Sequence, residues 1–384
     1  MSRIAITLAA FASIGCVPQV NSQEPLFAPV SPLVVGRGAG EIVLADIDRD
    51  GHLDIVTQHL LERMVVVHVG DGSGHFTPFA GGPLMLDYEP GAIALGDVNG
   101  DGFLDLAVAH RNSSSEYVHV FLGDGNGAFS VSGAASYTTA VSAEGYKPTL
   151  RMADVNEDGH LDIVAANGRR NSIEILLADG RGVFSTGPVV TLEIGQGYYS
   201  FALGDVDGDG HVDIVAASSG ASGIAARIVV RQGDGRAGFR DAAASLPAVP
   251  AEPRVMALAD VDGHGNIDIL LSHADGCCLS VLLNAGQGVF APASNSPYEI
   301  AGEAFAVVVA DADGDEDVDI FAATVNSVTV LLGDGKTFAS APDSPFRAGP
   351  GAYNLAVGDV NGDGRVDIAA SSFEGDSVAV LLGR

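Results

Sequence analysis

Oxygen-bearing side chains recur along this chain at a spacing suited to one kind of chemistry, the binding of a hard cation. Seven nine-residue segments carry them: DIDRDGHLD (46–54), DVNGDGFLD (97–105), DVNEDGHLD (154–162), DVDGDGHVD (205–213), DVDGHGNID (260–268), DADGDEDVD (311–319) and DVNGDGRVD (359–367). Carboxylate or amide groups stand at positions 1, 3, 5 and 9. They are Asp46, Asp48, Asp50 and Asp54; Asp97, Asn99, Asp101 and Asp105; Asp154, Asn156, Asp158 and Asp162; and Asp205, Asp207, Asp209 and Asp213 in the first four loops. The last three loops supply Asp260, Asp262 and Asp268; Asp311, Asp313, Asp315 and Asp319; and Asp359, Asn361, Asp363 and Asp367. Calcium takes six to eight oxygens, backbone carbonyls included, and position 7 can offer one. Position 6 is Gly in six of the seven loops, which predicts a sharp turn there with positive φ. Calcium is the expected cofactor, with up to seven ions. The fifth and sixth sites are expected to be the weak ones, because His264 replaces a carboxylate and Glu316 replaces the turn glycine. His52, His160 and His211 stand at position 7, where only the carbonyl is needed, and their side chains are expected to face solvent.

An EF-hand needs a bidentate Glu at position 12 and flanking helices. Position 12 here is Thr57, Val108, Ala165, Ala216, Leu271, Ala322 and Ala370, and the flanks read as strands. The EF-hand reading therefore fails seven times. A metal-free acidic turn would leave the sevenfold alignment of four oxygen positions unexplained.

Successive loops start 51, 57, 51, 55, 51 and 48 residues apart, and a period near 50 indicates a propeller or a solenoid. One repeat shows the plan: strands at AIALGDV (92–98), LDLAVAH (104–110) and YVHVFLG (117–123), a DGNG turn, and a looser fourth strand opened by Phe129. Four strands per 50 residues make one propeller blade. The third-to-fourth turns GDGSGHF (70–76), GDGNGAF (123–129), ADGRGVF (178–184), GDGRAGF (233–239), NAGQGVF (284–290) and GDGKTF (333–338) lack the following helix that a phosphate cradle needs. Each closing Phe is expected to pack between blades. The last repeat stops after its third strand, SVAVLLG (377–383), while PLFAPVSPLVV (25–35) reads as an orphan fourth strand, with Phe27 matching Phe290. The expected fold is all-β: one seven-bladed propeller of four-stranded blades over residues 25–384, closed by the N-terminal strand completing the last blade.

Of the 384 residues, 47% are apolar and 18% charged, which supports a large core. The formal net charge is −30, and 24 of the 49 acidic residues sit at the loop positions named above. The remaining acidity argues against nucleic acid or anionic lipid as a partner, since both need basic patches. Residues 1–22 read as a secretory signal: Arg3 is followed by an apolar run from Ile4 to Ile14 too short to span a bilayer. The segment 12–16 also resembles a bacterial lipobox, with the signal ending at Gly15 and a lipid on Cys16. Both cleavage there and cleavage after Ser22 fit. The expected location is secreted, or the outer surface or periplasm as a lipoprotein, with contact to membrane only through that lipid. Cys277 and Cys278 are adjacent, so a bridge between them would be strained. A pair of small apolar residues near a strand start is the simpler reading.

The run LGDVNGDGFLDLAVA (95–109) and its copies resemble FG-GAP/VCBS-type repeats, as in the integrin α-subunit head and some secreted bacterial and fungal lectins. The resemblance covers about residues 25–384. It implies a seven-bladed propeller with calcium in the loops joining the first and second strands of each blade. The Phe-Gly…Gly-Ala-Pro signature of integrins is missing, and the absence of Trp excludes WD repeats.

At about 1 mM calcium and a Kd of about 10⁻⁴ M, each site would add about 1.4 kcal/mol. Seven such sites sum to ~10 kcal/mol, comparable to a domain's whole stability, which makes their expected role structural. Ligand recognition is then expected on the opposite face, in the fourth-to-first strand connections. These hold Tyr88, Glu89, Tyr146, Lys147, Tyr198, Tyr199, Glu252, Arg254, Glu303, Phe305 and Tyr353. A binding module for a glycan or an extracellular protein is the leading expectation. The alternative is a propeller-based polysaccharide lyase or hydrolase, with Tyr146, Lys147 and Arg254 as candidate groups. No HExxH or GxSxG motif is present.

Overall fold

The computed structural model describes residues 25–384 except 111–116, 139–148, 168–170, 193–198, 219–226, 243–245, 248–251, 275 and 277. Residues 1–22, read above as a signal with Cys16, and Cys277 lie outside the described residues, while Cys278 is buried at the start of its strand.

Every described element is a β-strand, and the strands form seven antiparallel sheets. The first blade runs through Ala39–Ala45, Asp54–His59, Met64–Gly70 and Phe76–Pro78, and five further blades repeat this order. In the repeat used above, the first strand is Pro90–Gly96 and ends two residues earlier than expected. Asp97 and Val98 belong to the loop, because the Val98 N–H turns away from the ladder to donate to Asp105 Oδ2 at 3.0 Å.

The seventh blade consists of Ala352–Gly358, Asp367–Ser372 and Ser377–Gly383, completed by Phe27–Pro29 from the other end of the chain. Phe27 pairs with Gly383 as Phe76 pairs with Gly70 and Phe290 with Asn284, so the match between Phe27 and Phe290 is a true register equivalence. The fourth strands are broken in several blades. Phe27–Pro29 and Leu33–Val34 both pair with Ser377–Gly383, and Phe290–Pro292 and Tyr298–Glu299 both pair with Cys278–Asn284. Proline ends the first half in each case, and the residue after it still donates to the third strand, Val30 N to Val380 O at 3.0 Å and Ala293 N to Val281 O at 2.9 Å.

The second strands are buried at every described position. They are covered on both faces, which explains runs such as DLAVAH and DIFAAT, where polarity does not alternate. The first strands of successive blades neighbour one another around the ring, including Ala39–Ala45 beside Ala352–Gly358 across the closure. Buried side chains fall into seven layers, each shared by two consecutive blades. The closing Phe of each turn enters one of them: Phe76, Phe129, Phe184, Phe239, Phe290 and Phe338 all pack against the preceding blade. Phe27 does the same between the sixth and seventh blades, edge-on to Phe321 and Phe346 with ring centroids 6.0 and 5.2 Å away.

Phe27 is 1% exposed and holds both the strand that closes the ring and the layer beneath it. Phe27→Ala should cost about 3–5 kcal/mol, measured by urea unfolding. A loss below about 1 kcal/mol would mean the closure does not depend on this side chain.

Candidate functional site

The ninth residue of every loop is an Asp with no exposed surface. Its two oxygens are committed to backbone donors. In the first loop Asp54 Oδ2 accepts from Ile47 N at 2.8 Å and Oδ1 from Gly70 N at 2.9 Å. The same pair of bonds recurs at Asp105, Asp162, Asp213, Asp268, Asp319 and Asp367. One carboxylate thus ties the start of its loop to the end of the third strand. In five blades the residue at that strand end is glycine, while Ala178 and Asn284 take its place in the third and fifth. A Cβ on Gly123 would lie 2.1 Å from the Leu104 carbonyl oxygen, and one on Gly233 2.2 Å from that of Val212.

Position 1 shapes the loop from within. Asp46, Asp97, Asp154, Asp205, Asp260, Asp311 and Asp359 each accept the position-6 N–H through Oδ2, at 2.7–3.1 Å. The position-6 residues have positive φ, as expected. Glu316 adopts φ 73° in the glycine's place, which open surroundings at the equivalent glycines permit but backbone sterics disfavour. Position 7 departs from expectation. His52 is exposed, but His160 and His211 are half-buried, and all three rings lie against the glycine at the third position of the neighbouring turn: Gly72, Gly180 and Gly235. His211 also bonds Glu157 of the preceding loop at 2.5 Å, and this partner raises its pKa.

Four loops bring three carboxylates together, with ligand atoms all within 4.8 Å of one another: Asp46, Asp48 and Asp50; Asp205, Asp207 and Asp213; Asp260, Asp262 and Asp268; and Asp311, Asp313 and Asp315. These clusters could hold metal ions. Asp46 Oδ1 and Asp313 Oδ1 are buried without a hydrogen-bond partner, as expected of atoms placed for a cation. The substitutions in the fifth and sixth loops do not disperse their carboxylates. In the fifth, His264 Nδ1 lies 2.9 Å from Asp262 Oδ1, so the imidazole competes for a ligand oxygen. In the second, third and seventh loops the position-3 amide donates to the position-5 carboxylate, as Asn99 Nδ2 does to Asp101 Oδ2 at 2.9 Å.

Burial pushes the position-9 carboxyls up despite their backbone donors: Asp162, Asp213, Asp268 and Asp367 to about 6 and Asp319 to about 7, with Asp54 and Asp105 also raised.

The opposite face carries a cavity of about 320 Å³ at the seam between the last blade and the first. Phe305, Tyr353 and Phe373 line it in series, with centroids 6.0 Å apart between the first two and 6.1 Å between the last two. Gly40, Gln58 and Leu60 of the first blade and Gly351, Ala352 and Glu374 of the seventh complete most of the wall. Beside it, Arg254 forms an ion pair with Glu303 and places its guanidinium 4.5 Å above the Phe305 ring. Of the residues expected on this face, the structure thus joins Arg254, Glu303, Phe305 and Tyr353. Glu252 is exposed, and Glu89 pairs with Arg63 at 3.6 Å. Tyr88 does not reach the surface. It is 8% exposed, in the layer between the first two blades, and its ring stacks 3.3 Å from that of His110. Tyr199 falls in the first strand of the fourth blade, and Tyr146, Lys147 and Tyr198 lie outside the described residues.

Leu60, Val325, Phe373 and Glu374 were not among the expected residues. They sit at the second-to-third hairpins, whereas the expectation drew only on fourth-to-first connections. Strand parity was the available signal: in an antiparallel blade both kinds of connection lie on the face away from the acidic loops.

The profile of the family described as FG-GAP-like repeat matches residues 97–165, 154–216, 205–271, 260–322 and 312–370. No curated protein matches the chain. Among solved structures, BBS1N in complex with ARL6DN, soaked with lead, superposes with a TM-score of 0.63 at 13% identity, covering 94% of this chain and 98% of that one. An Agrocybe aegerita lectin, solved for its specific recognition of non-reducing terminal N-acetylglucosamine, superposes with a TM-score of 0.53 at 20% identity, covering 89% of this chain and 87% of that one. At these identities the likeness is one of fold.

A carboxyl raised by burial stabilises the fold fully below its ordinary value of 3.8, and that contribution is lost as pH rises through its folded value. In chelator, the melting temperature should therefore fall between about pH 4 and pH 7. The increment restored by a divalent cation should grow over the same window. A flat profile in chelator would contradict the clamp's buried character. Glu316→Gly should stabilise by about 1 kcal/mol by relieving the positive φ, read from the denaturation midpoint.

Proposed function

The chain belongs to the FG-GAP-like repeat family, and on that premise we propose that it is a calcium-stabilised binding module, secreted or held at the outer surface, that recognises a glycan or an extracellular protein. Calcium is the cation that suits the loops: the donors are hard oxygens, and two of the buried ones lack partners. Asp46, Asp48 and Asp50 would hold it in the first loop, and the carboxylates and amides at positions 1, 3 and 5 elsewhere. A bound ion supplies positive charge that offsets the mutual repulsion of the cluster. The position-9 carboxylate orients the loop, and in the fourth and fifth loops it also stands within the cluster.

The observation that carries the binding role is the aromatic cavity at the seam, on the face away from the acidic loops. It is concave, combines three rings with a few polar groups, and joins residues from blades distant in sequence. The lectin and the ARL6DN-bound propeller among the structural neighbours support recognition of a partner as a use of such a scaffold.

Two measurements test this. Chelation should lower the melting temperature by 10 °C or more (an order-of-magnitude expectation from about 1.4 kcal/mol per site), and an unchanged melting curve would remove the role given to calcium. The mature protein, presented in millimolar calcium to a glycan array and to extracellular protein extracts, should retain a specific ligand. Tyr353→Ala should abolish that retention with the fold intact, and retention that survives the substitution would move the site elsewhere.

A further inference from the structure

The fourth position of each acidic loop lies between two oxygen-bearing residues. It is Gly100, Gly208, Gly263, Gly314 and Gly362 in five loops, with φ between 69° and 82°. The first and third loops depart from this. Arg49 and Glu157 stand there and keep the same left-handed backbone, at φ 62° and 59°. Glycine adopts that conformation freely and a residue with a side chain does not, so two loops hold a disfavoured residue. Arg49 is also a poor choice by charge, since it puts a cation between Asp48 and Asp50. Both side chains cross to the next loop. The Arg49 guanidinium lies 5.3 Å from the ring centroid of Phe103, and Glu157 Oε1 lies 2.5 Å from His211 Nδ1. Phe103 and His211 are the position-7 residues of the second and fourth loops. Each ring rests on the turn of its own blade, where a Cβ on Gly125 would meet Phe103 Cδ1 at 2.2 Å and one on Gly235 would meet His211 Nδ1 at 2.6 Å. A cation–π contact at one seam and a hydrogen-bonded pair at the other thus join the same two loop positions.

We propose that Arg49 and Glu157 are positioning residues that couple the first loop to the second and the third to the fourth, so that a cation in either member of a pair tightens binding in the other. The inference rests on the reading of these loops as calcium sites and adds which sites act together. Position 4 is flanked by Asp48 and Asp50 in the first loop and by Asn156 and Asp158 in the third. A cation that draws these residues together fixes the backbone from which Arg49 or Glu157 reaches out. Position 7 is held by its own loop: Phe103 N donates to Asp101 Oδ1 at 2.8 Å, and His211 N to Asp209 Oδ1 at 3.0 Å. Its carbonyl is the backbone oxygen that a cation would take. The tie therefore runs from the ligands of one loop to those of the next, and ordering one loop lowers the cost of ordering its partner. Gly263, Gly314 and Gly362 offer no such side chain, so the last three loops bind singly. Gly100 and Gly208 likewise separate the second loop from the third and the fourth from the fifth.

The test follows hydrogen exchange by mass spectrometry, loop by loop, as calcium is titrated into the chelator-treated mature protein. Glu157→Gly and Arg49→Gly introduce the residue that five loops already carry, so both variants should fold. Glu157→Gly should raise the calcium concentration that half-protects the fourth loop by about fivefold or more, the lower end of ordinary coupling. The seventh loop should not move. Arg49→Gly should act likewise on the second loop. Charge alone predicts the reverse for Arg49→Gly, because a cation is removed from beside the sites. Glu157→Gln loses the charge but keeps an acceptor for His211, and it should restore most of the wild-type value. The proposal is overturned if the second and fourth loops keep or lower their midpoints in the glycine variants, or if the seventh loop shifts as far as they do. It is equally overturned if Glu157→Gln shifts the fourth loop as far as Glu157→Gly, which would reduce the effect to charge. Should no loop gain protection from calcium while the melting curve ignores chelator, the calcium reading falls and the coupling with it. Protection that rises in every loop at wild-type midpoints in both glycine variants leaves calcium in place and removes the coupling alone.

Discussion

A buried aspartate that accepts two backbone hydrogen bonds holds each blade together. Its Oδ2 takes the N–H of loop position 2 and its Oδ1 takes the N–H at the end of the third strand, so one side chain ties the loop to the ladder that joins the three strands. In four repeats the carbonyl of the same position-2 residue accepts a hydrogen bond from the next blade. Gly74 N donates to Val360 O at 3.1 Å, Gly182 N to Val98 O at 3.3 Å and Ala237 N to Val155 O at 3.0 Å, and Asn284 Nδ2 reaches Val206 O at 2.7 Å. Loop geometry, blade integrity and blade-to-blade cohesion therefore meet at one dipeptide in these four repeats. A cation held at the neighbouring carboxylates would act on the same dipeptide.

The core follows from this linkage. Seven thin layers replace one hydrophobic interior, and each is filled from both sides by second strands of small and branched residues and by the closing Phe of a turn. No layer is complete without its neighbour, so the ring must close. The strand Phe27–Pro29 supplies that closure and brings blades from the two ends of the chain side by side. The aromatic cavity opens at this seam, where residues more than 300 positions apart share one wall.

The repeats made the fold legible. The period near 50 residues, the acidic nonapeptide and the orphan strand at 25–35 predict blade number, loop position and closure, because each reflects local physics: oxygen spacing, turn chemistry, and the need to pair an edge. The buried role of the position-9 carboxylate was not legible, since in sequence it looks like one more ligand. Its donors lie 7 and 14–20 residues away and are backbone atoms, which leave no residue-type signature.

The ligand face divides differently. Sequence alone placed Arg254, Glu303, Phe305 and Tyr353 on the side away from the acidic loops, because strand direction is set by the repeat. It could not separate Tyr88, whose ring the first two blades enclose, from Tyr353, which faces the cavity, because both follow a fourth strand. Only the tertiary structure joined Gln58 and Gly40 to Phe373 and Glu374. That junction is made by ring closure, a long-range event with no local pattern, and it decides which side chains share a cavity.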